Sequence, residues 1–128
     1  MAIPGYIDLQ VNGFVGVDFS SPKLTEDHFL QAVEKLLKSG TYAFLPTIIT
    51  SSMDLYKRNI GIITNAISKA GLEEHTPGFH LEGPFISRER GAVGVHNPEY
   101  VQDPDNNVLD RLIEFSGNSI KLLTVAAE

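Results

Sequence analysis

The stretch His80-Leu81-Glu82-Gly83-Pro84-Phe85 decides the fold, because it puts an ionisable carboxylate where a buried strand should end and a loop begin. Pro77-Gly78-Phe79 reads as a turn feeding a short strand, with Gly78, His80 and Glu82 on one face and Phe79 and Leu81 on the other. Gly83-Pro84 stops that strand. The carboxyl end of a parallel strand is where α/β barrels and open α/β sheets build their active sites. Glu82 is therefore a candidate metal ligand or acid/base group, and a salt-bridged or solvated glutamate at a strand end is the competing reading.

Outward from this strand the chain alternates strand and helix. Tyr6–Asn12 reads as the first strand, ended by Gly13 and followed by a loop through Pro22. Thr25 caps a helix with Glu26 and Asp27 in its positive first turn, Phe29, Leu30, Val33, Leu36 and Leu37 at helical spacing, and Ser39-Gly40 as its stop. Tyr42–Leu45 is the second strand, running into Pro46-Thr47 and a β-branched tail, Ile48-Ile49-Thr50. Ser51 or Ser52 opens a second helix with a stripe of Leu55, Ile60, Ile63, Ala66, Ile67 and Ala70, and Gly71 ends it. The hexapeptide strand comes third, with a long loop from Gly83 to Gln102. Asp103-Pro104 reads as cap and first position of a third helix with Val108, Leu109, Leu112 and Ile113 inward, and Ile120–Ala127 is the fourth strand. The order β-α-β-α-β-α-β implies parallel strands with right-handed crossovers.

At 128 residues with 42% hydrophobic content, the chain can bury one core. A formal net charge of −6 argues against nucleic-acid binding, and Arg88 and Arg90 are the only close pair of basic residues in a loop. The absence of cysteine excludes disulfides and thiolate metal sites. The opening Met1–Gly5 has no charged leader or apolar core, and no run approaches a membrane span, so no membrane association and a soluble, cytoplasmic domain are expected.

Parallel strands covered on both faces are near-continuous apolar runs, and the first strand breaks that rule. Asp8, Gln10 and Asn12 share one face, with Ile7, Leu9 and Val11 on the other. Packed in an apolar layer, each unpaired polar group costs roughly 1–3 kcal/mol, so these side chains are expected to line a polar cavity. A half-exposed edge strand is the alternative. Polar faces on the first and third strands converge if both point to a barrel axis.

Four blocks, Pro4–Gly13, Leu45–Thr50, Gly78–Phe85 and His96-Asn97-Pro98, together resemble the N-acetylglucosamine-6-phosphate deacetylase family of the amidohydrolase superfamily, in the right order through the whole chain. The resemblance implies a (β/α)8 TIM barrel of which residues 1–128 are the N-terminal half, roughly strands one to four with three crossover helices. The small β domain and the second half of the barrel would then be absent. It implies hydrolysis of N-acetylglucosamine 6-phosphate to glucosamine 6-phosphate and acetate, and Glu82 as the carboxylate ligand of one divalent metal ion, zinc or, as alternatives, iron or another divalent ion. Most amidohydrolases carry His-x-His on the first strand, where this chain has Gln10 and Asn12. Neutral amides are poor substitutes for imidazole, so a single-metal site is expected with Gln10, Asn12 and His80 lining it.

By the same resemblance His96, and Val95 through its backbone, contact the sugar. Where the family runs through a Lys-Gly-type turn, this chain has Gly91–Val95, which lengthens the loop. His80 reads either as a hydrogen-bonded interior histidine or as a support for the metal ligand; His28, His75, Arg88 and Arg90 read as surface residues. The implied mechanism is metal-assisted amide hydrolysis, in which the ion polarises the acetyl carbonyl and activates water while a carboxylate moves protons. The remaining ligands and the catalytic aspartate belong to later strands, so no catalytic residue is expected within the 128 residues and the chain alone is expected to be inactive. A half-barrel has two unpaired edges, so self-association into a homo-oligomer is expected. A non-catalytic phosphosugar-binding or self-assembling half-barrel is the alternative of a different class.

Overall fold

A computed structural model describes residues 5–127; the opening residues read above for a leader, 1–4, and residue 128 lie outside the described residues. The elements are β1 (Tyr6–Val11), β2 (Gly13–Phe14), β3 (Val17–Asp18), α1 (Glu26–Lys38), β4 (Thr41–Ile49), α2 (Met53–Ala70), β5 (Phe79–Glu82), α3 (Asn106–Phe115) and β6 (Ile120–Thr124). The four long strands form one sheet in the order β1-β4-β5-β6, and every neighbouring pair is parallel. The expected alternation is therefore present, with the small β2-β3 hairpin added where the sequence reads as a loop. That hairpin turns on Val15-Gly16, both at positive φ (47° and 85°), the conformation that matches the twist of two-residue hairpins.

Capping sets the helix boundaries. The Thr25 hydroxyl accepts from the His28 N–H at 3.1 Å, and Ser52 caps α2 while Gly71 closes it in the left-handed region. The buried stripe of α2 differs from the expected one: Tyr56 and Asn59 are buried, whereas Leu55 is half-buried and Ala70 exposed. Asn59 tolerates that place because its amide donates to the carbonyls of Phe19 (2.9 Å) and Ser21 (3.0 Å), tying the segment after β3 to the helix. Helix α3 starts two residues later than expected. Asp105, not Asp103, is the cap, because its carboxylate reaches the N–H groups of Asn107 (2.7 Å) and Val108 (3.3 Å). Of its four expected inward residues only Leu112 is fully buried.

Strand β4 runs unbroken through Pro46, which cannot donate to a ladder. Opposite it, the Val11 N–H donates to the Thr47 hydroxyl at 3.0 Å. Strand β6 stops at Thr124, short of the expected Ala127, since its pairing with β5 ends where Glu82 meets Thr124 and Gly83 turns away. Phe29, Phe44, Ile48, Tyr56, Ile60, Ile63, Leu81 and Leu112 form the core shared by sheet and helices. Both outer strands are open edges: on β1 Tyr6, Ile7 and Leu9 are exposed, and on β6 Leu122. The first strand is thus not covered on both faces. Asp8 and Gln10 are exposed, and of the three polar residues only Asn12 is half-buried. No helix among the described residues is long and apolar enough to cross a membrane.

Candidate active site

Three elements bring polar groups together at the carboxyl ends of the strands. Glu82, the last residue of β5, keeps its side chain about one-fifth exposed, and its Oε2 accepts from the Asn12 Nδ2 at 3.0 Å. Asn12 follows β1 directly, and its own Oδ1 faces the Gln10 amide at a long 3.4 Å. Of the two first-strand amides, Asn12 donates directly to the carboxylate, while the exposed Gln10 reaches only the Asn12 amide oxygen. Asp8 stays out of it: its carboxylate accepts from the N–H of Gln10 at 3.0 Å, a local bond.

The other carboxylate oxygen, Oε1, faces His96 Nε2 at 3.9 Å. His96 comes from the long loop after β5 and is largely buried, whereas Val95 beside it is 83% exposed. Sequence-predicted Glu82, Asn12 and His96 thus meet; Gln10 and Val95 lie at the margin.

His80 is buried beneath this group and joins all four long strands. Its Nδ1 faces the Leu9 carbonyl of β1 at 3.0 Å and the Thr47 hydroxyl of β4 at 3.3 Å, and its Nε2 faces the Thr124 hydroxyl of β6 at 2.8 Å. A carbonyl only accepts, so Nδ1 carries the proton and Nε2 accepts from Thr124. Burial pushes the imidazole below its ordinary range, against opposing pulls from the Leu9 carbonyl and the Glu82 charge. His80 is therefore an interior, hydrogen-bonded histidine that sets the strands on which Glu82 and Asn12 ride.

Two residues join the site without being singled out by the sequence. Thr50, just past β4, is buried with its Oγ1 3.0 Å from His96 Nδ1 and 3.3 Å from the Glu82 carbonyl. Tyr56 is buried with no partner for its hydroxyl within hydrogen-bond geometry among the described residues, and burial, against the pull of the Ser51 backbone and with a smaller push from the charge of Glu82, drives that phenol far above its ordinary range. The available signal for Thr50 was its place at the end of a strand within Leu45–Thr50; for Tyr56 there was none beyond helical spacing.

A divalent ion would find one carboxylate here, with a free oxygen. Among the described residues no group of three or more His, Asp or Glu side chains comes together to hold a metal. The donor set fits one ligand of a metal site, not the site.

A parallel sheet with helical crossovers, carrying a carboxylate, an amide and an imidazole at its carboxyl edge, is an α/β architecture of the kind on which barrels and open sheets alike build sites. The proteins it matches are N-acetylglucosamine-6-phosphate deacetylases. The Haemophilus influenzae enzyme of that name is 38% identical over 124 residues, 97% of this chain and 31% of that one. The solved deacetylase from Pasteurella multocida superposes with a TM-score of 0.82 at 33% identity, covering 98% of this chain and 31% of that one. A mutant deacetylase from Mycobacterium smegmatis, solved in complex with N-acetyl-D-glucosamine-6-phosphate, gives 0.83 at 28% identity, with coverage of 98% and 31%. No protein-family model matches. The chain therefore spans about a third of the length of the relatives it matches, and the fold is a partial TIM barrel.

Proposed function

We propose that this chain forms the first four barrel strands of an N-acetylglucosamine-6-phosphate deacetylase, with Glu82 as one ligand of a single divalent ion. The carrying observation is the assembly of Asn12, Glu82 and His96 at the carboxyl ends of β1 and β5 and in the loop above them. Asn12 occupies one carboxylate oxygen as a hydrogen-bond donor and leaves Oε1 available, which orients Glu82 as partners beyond the ligands orient a metal ligand. His96, and the Val95 backbone beside it, would contact the phosphorylated amino sugar. When bound, the ion, with zinc and iron as candidates, would act as a Lewis acid toward the acetamide carbonyl.

A catalytic zinc takes about three protein ligands, so Glu82 alone would not retain one and the isolated chain would not turn over substrate. The open edges of β1 and β6, with Tyr6, Ile7, Leu9 and Leu122 exposed, would favour self-association of the isolated chain. The similar proteins named above are enzymes, which disfavours a non-catalytic sugar-binding half-barrel.

The test is a chimera in which residues 1–128 replace the matching third of the Haemophilus influenzae deacetylase. We expect release of glucosamine 6-phosphate and retention of a divalent ion, and loss of both in Glu82→Gln. A folded chimera that keeps its full metal content after Glu82→Gln contradicts the assignment.

A further inference from the structure

We infer that Thr50 is a positioning residue for His96: its hydroxyl donates to Nδ1 and so fixes the ring proton on Nε2, the nitrogen turned toward Glu82. That His96 serves a ligand rests on the function proposed above; the tautomer does not.

The Thr50 hydroxyl lies 3.0 Å from His96 Nδ1, which accepts or donates according to the ring's tautomer, and 3.3 Å from the Glu82 carbonyl, which only accepts. Hydroxyl-to-oxygen hydrogen bonds run to roughly 3.0 Å, so the carbonyl contact is stretched and the imidazole contact is not. The charge around the ring points the same way. Nε2 lies 3.9 Å from Glu82 Oε1; a lone pair there would face a carboxylate, whereas an N–H there is attracted to it. Both considerations place the Thr50 proton on the Nδ1 bond and the ring's own proton on Nε2.

The geometry makes Thr50 the tether of a loop that has little else to hold this ring. The His96 ring has no other hydrogen bond among the described residues, and Gly91 and Gly94 on the loop leading to it both sit at positive φ. The space for the hydroxyl is kept by the residue after Glu82: a Cβ on Gly83 would lie 2.1 Å from Thr50 Oγ1. Strand end, turn and loop thus meet on one oxygen atom. The consequence for chemistry is that His96 presents a hydrogen-bond donor beside Glu82, suited to an oxygen acceptor on a ligand, such as an amide carbonyl or a sugar hydroxyl.

The experiment is long-range proton–nitrogen NMR of the histidine rings in the 128-residue chain, at mildly alkaline pH where imidazoles are neutral. Four histidines give four ring systems, and His96→Gln identifies the one that disappears. The wild type is expected to show His96 as a single Nε2–H tautomer. Thr50→Val, which keeps the shape and loses the donor, is expected to admit a measurable Nδ1–H fraction at His96, with Glu82 alone left to favour Nε2–H, while the His80 signals, fixed by Leu9 and Thr124, stay in place; Thr50→Ser is expected to restore the single tautomer. A proton on Nδ1 of His96 in the wild type overturns the inference. So does an unchanged His96 signature in Thr50→Val, or a loss of His80 and His96 signatures together, which would make Thr50 a general structural residue. Because no metal or substrate enters, failure here is separable from failure of the deacetylase assignment, which the chimera reads.

Discussion

Replacing His80 by leucine should destabilise the fold by about 2–4 kcal/mol, the sum of two lost hydrogen bonds at about 1 kcal/mol each and up to about 2 kcal/mol for an acceptor left bare. The ring is 1% exposed and spans from the Leu9 carbonyl to the Thr124 hydroxyl. Leucine fills comparable volume, so little of the cost comes from a cavity. Leu9 and Thr124 are both exposed residues on edge strands and both bonds are part-buried, so how far the Leu9 carbonyl reaches water sets where in that range the cost falls. Thr124→Val strands the other partner: it leaves the buried Nε2 of His80 without its donor, a loss of about 1–3 kcal/mol. Urea unfolding followed by circular dichroism reads both: with a slope of about 1–3 kcal/mol/M, each change should move the midpoint down by about 1 M. Two results would refute the reasoning: a His80→Leu midpoint within error of wild type, or a Thr124→Val midpoint within error of wild type.

Other expectations follow from single contacts. Thr47→Val leaves the Val11 N–H opposite Pro46 without its acceptor, costing about 1–3 kcal/mol, and hydrogen exchange at the Val11 amide should accelerate more than at its neighbours. Gly83→Ala meets the Thr50 hydroxyl and a φ of +91°, so a loss of about 1–3 kcal/mol is expected in thermal unfolding. Val15→Asn, at an exposed hairpin tip with a φ of 47°, should stabilise by about 1 kcal/mol, since asparagine adopts the left-handed region more readily than a β-branched residue; an unchanged midpoint would count against the turn geometry. In the chimera, Asn12→Leu removes the donor on Glu82 Oε2 and should weaken divalent-ion affinity about 10–100-fold, measured by competition with a chelator.

The elements most legible in the sequence were those whose signals were local and mutually consistent. Helix α2 had a serine cap, an apolar stripe and a glycine stop, all within one window, and only the occupants of the stripe needed correction. Asn59 is the reason: its buried place depends on carbonyls about 40 residues away at Phe19 and Ser21, and periodicity carries no information about such partners. Strand β4 reads as interrupted at Pro46 for a sound local reason, yet it is continuous, and the acceptor its Thr47 hydroxyl offers to the Val11 N–H of β1 is a contact that local sequence does not show. The site behaves the same way. Glu82 was readable as a carboxylate at a strand end, but Thr50 acquires its place from His96, 46 residues later, and the choice for His80 between interior anchor and ligand support waited on partners in β1 and β6.

The polar face of β1 shows how an expectation can rest on an incomplete premise. A polar face implies a cavity if the strand is covered, yet Tyr6 through Gln10 are exposed on an open edge, where water meets the needs of Asp8 and Gln10 at no cost. Alternation in those residues therefore says nothing about a site. What does is the end of the strand, where Val11 enters the core and Asn12 is half-buried against a carboxylate from β5. An amide half-withdrawn from water and bonded to an acidic side chain 70 residues away is stable because the carboxylate accepts its hydrogen bond. That charge-assisted bond, rather than the polar pattern leading up to it, is the part of the first strand that makes a place for chemistry, and it leaves the other oxygen of Glu82 turned to the imidazole that Thr50 holds.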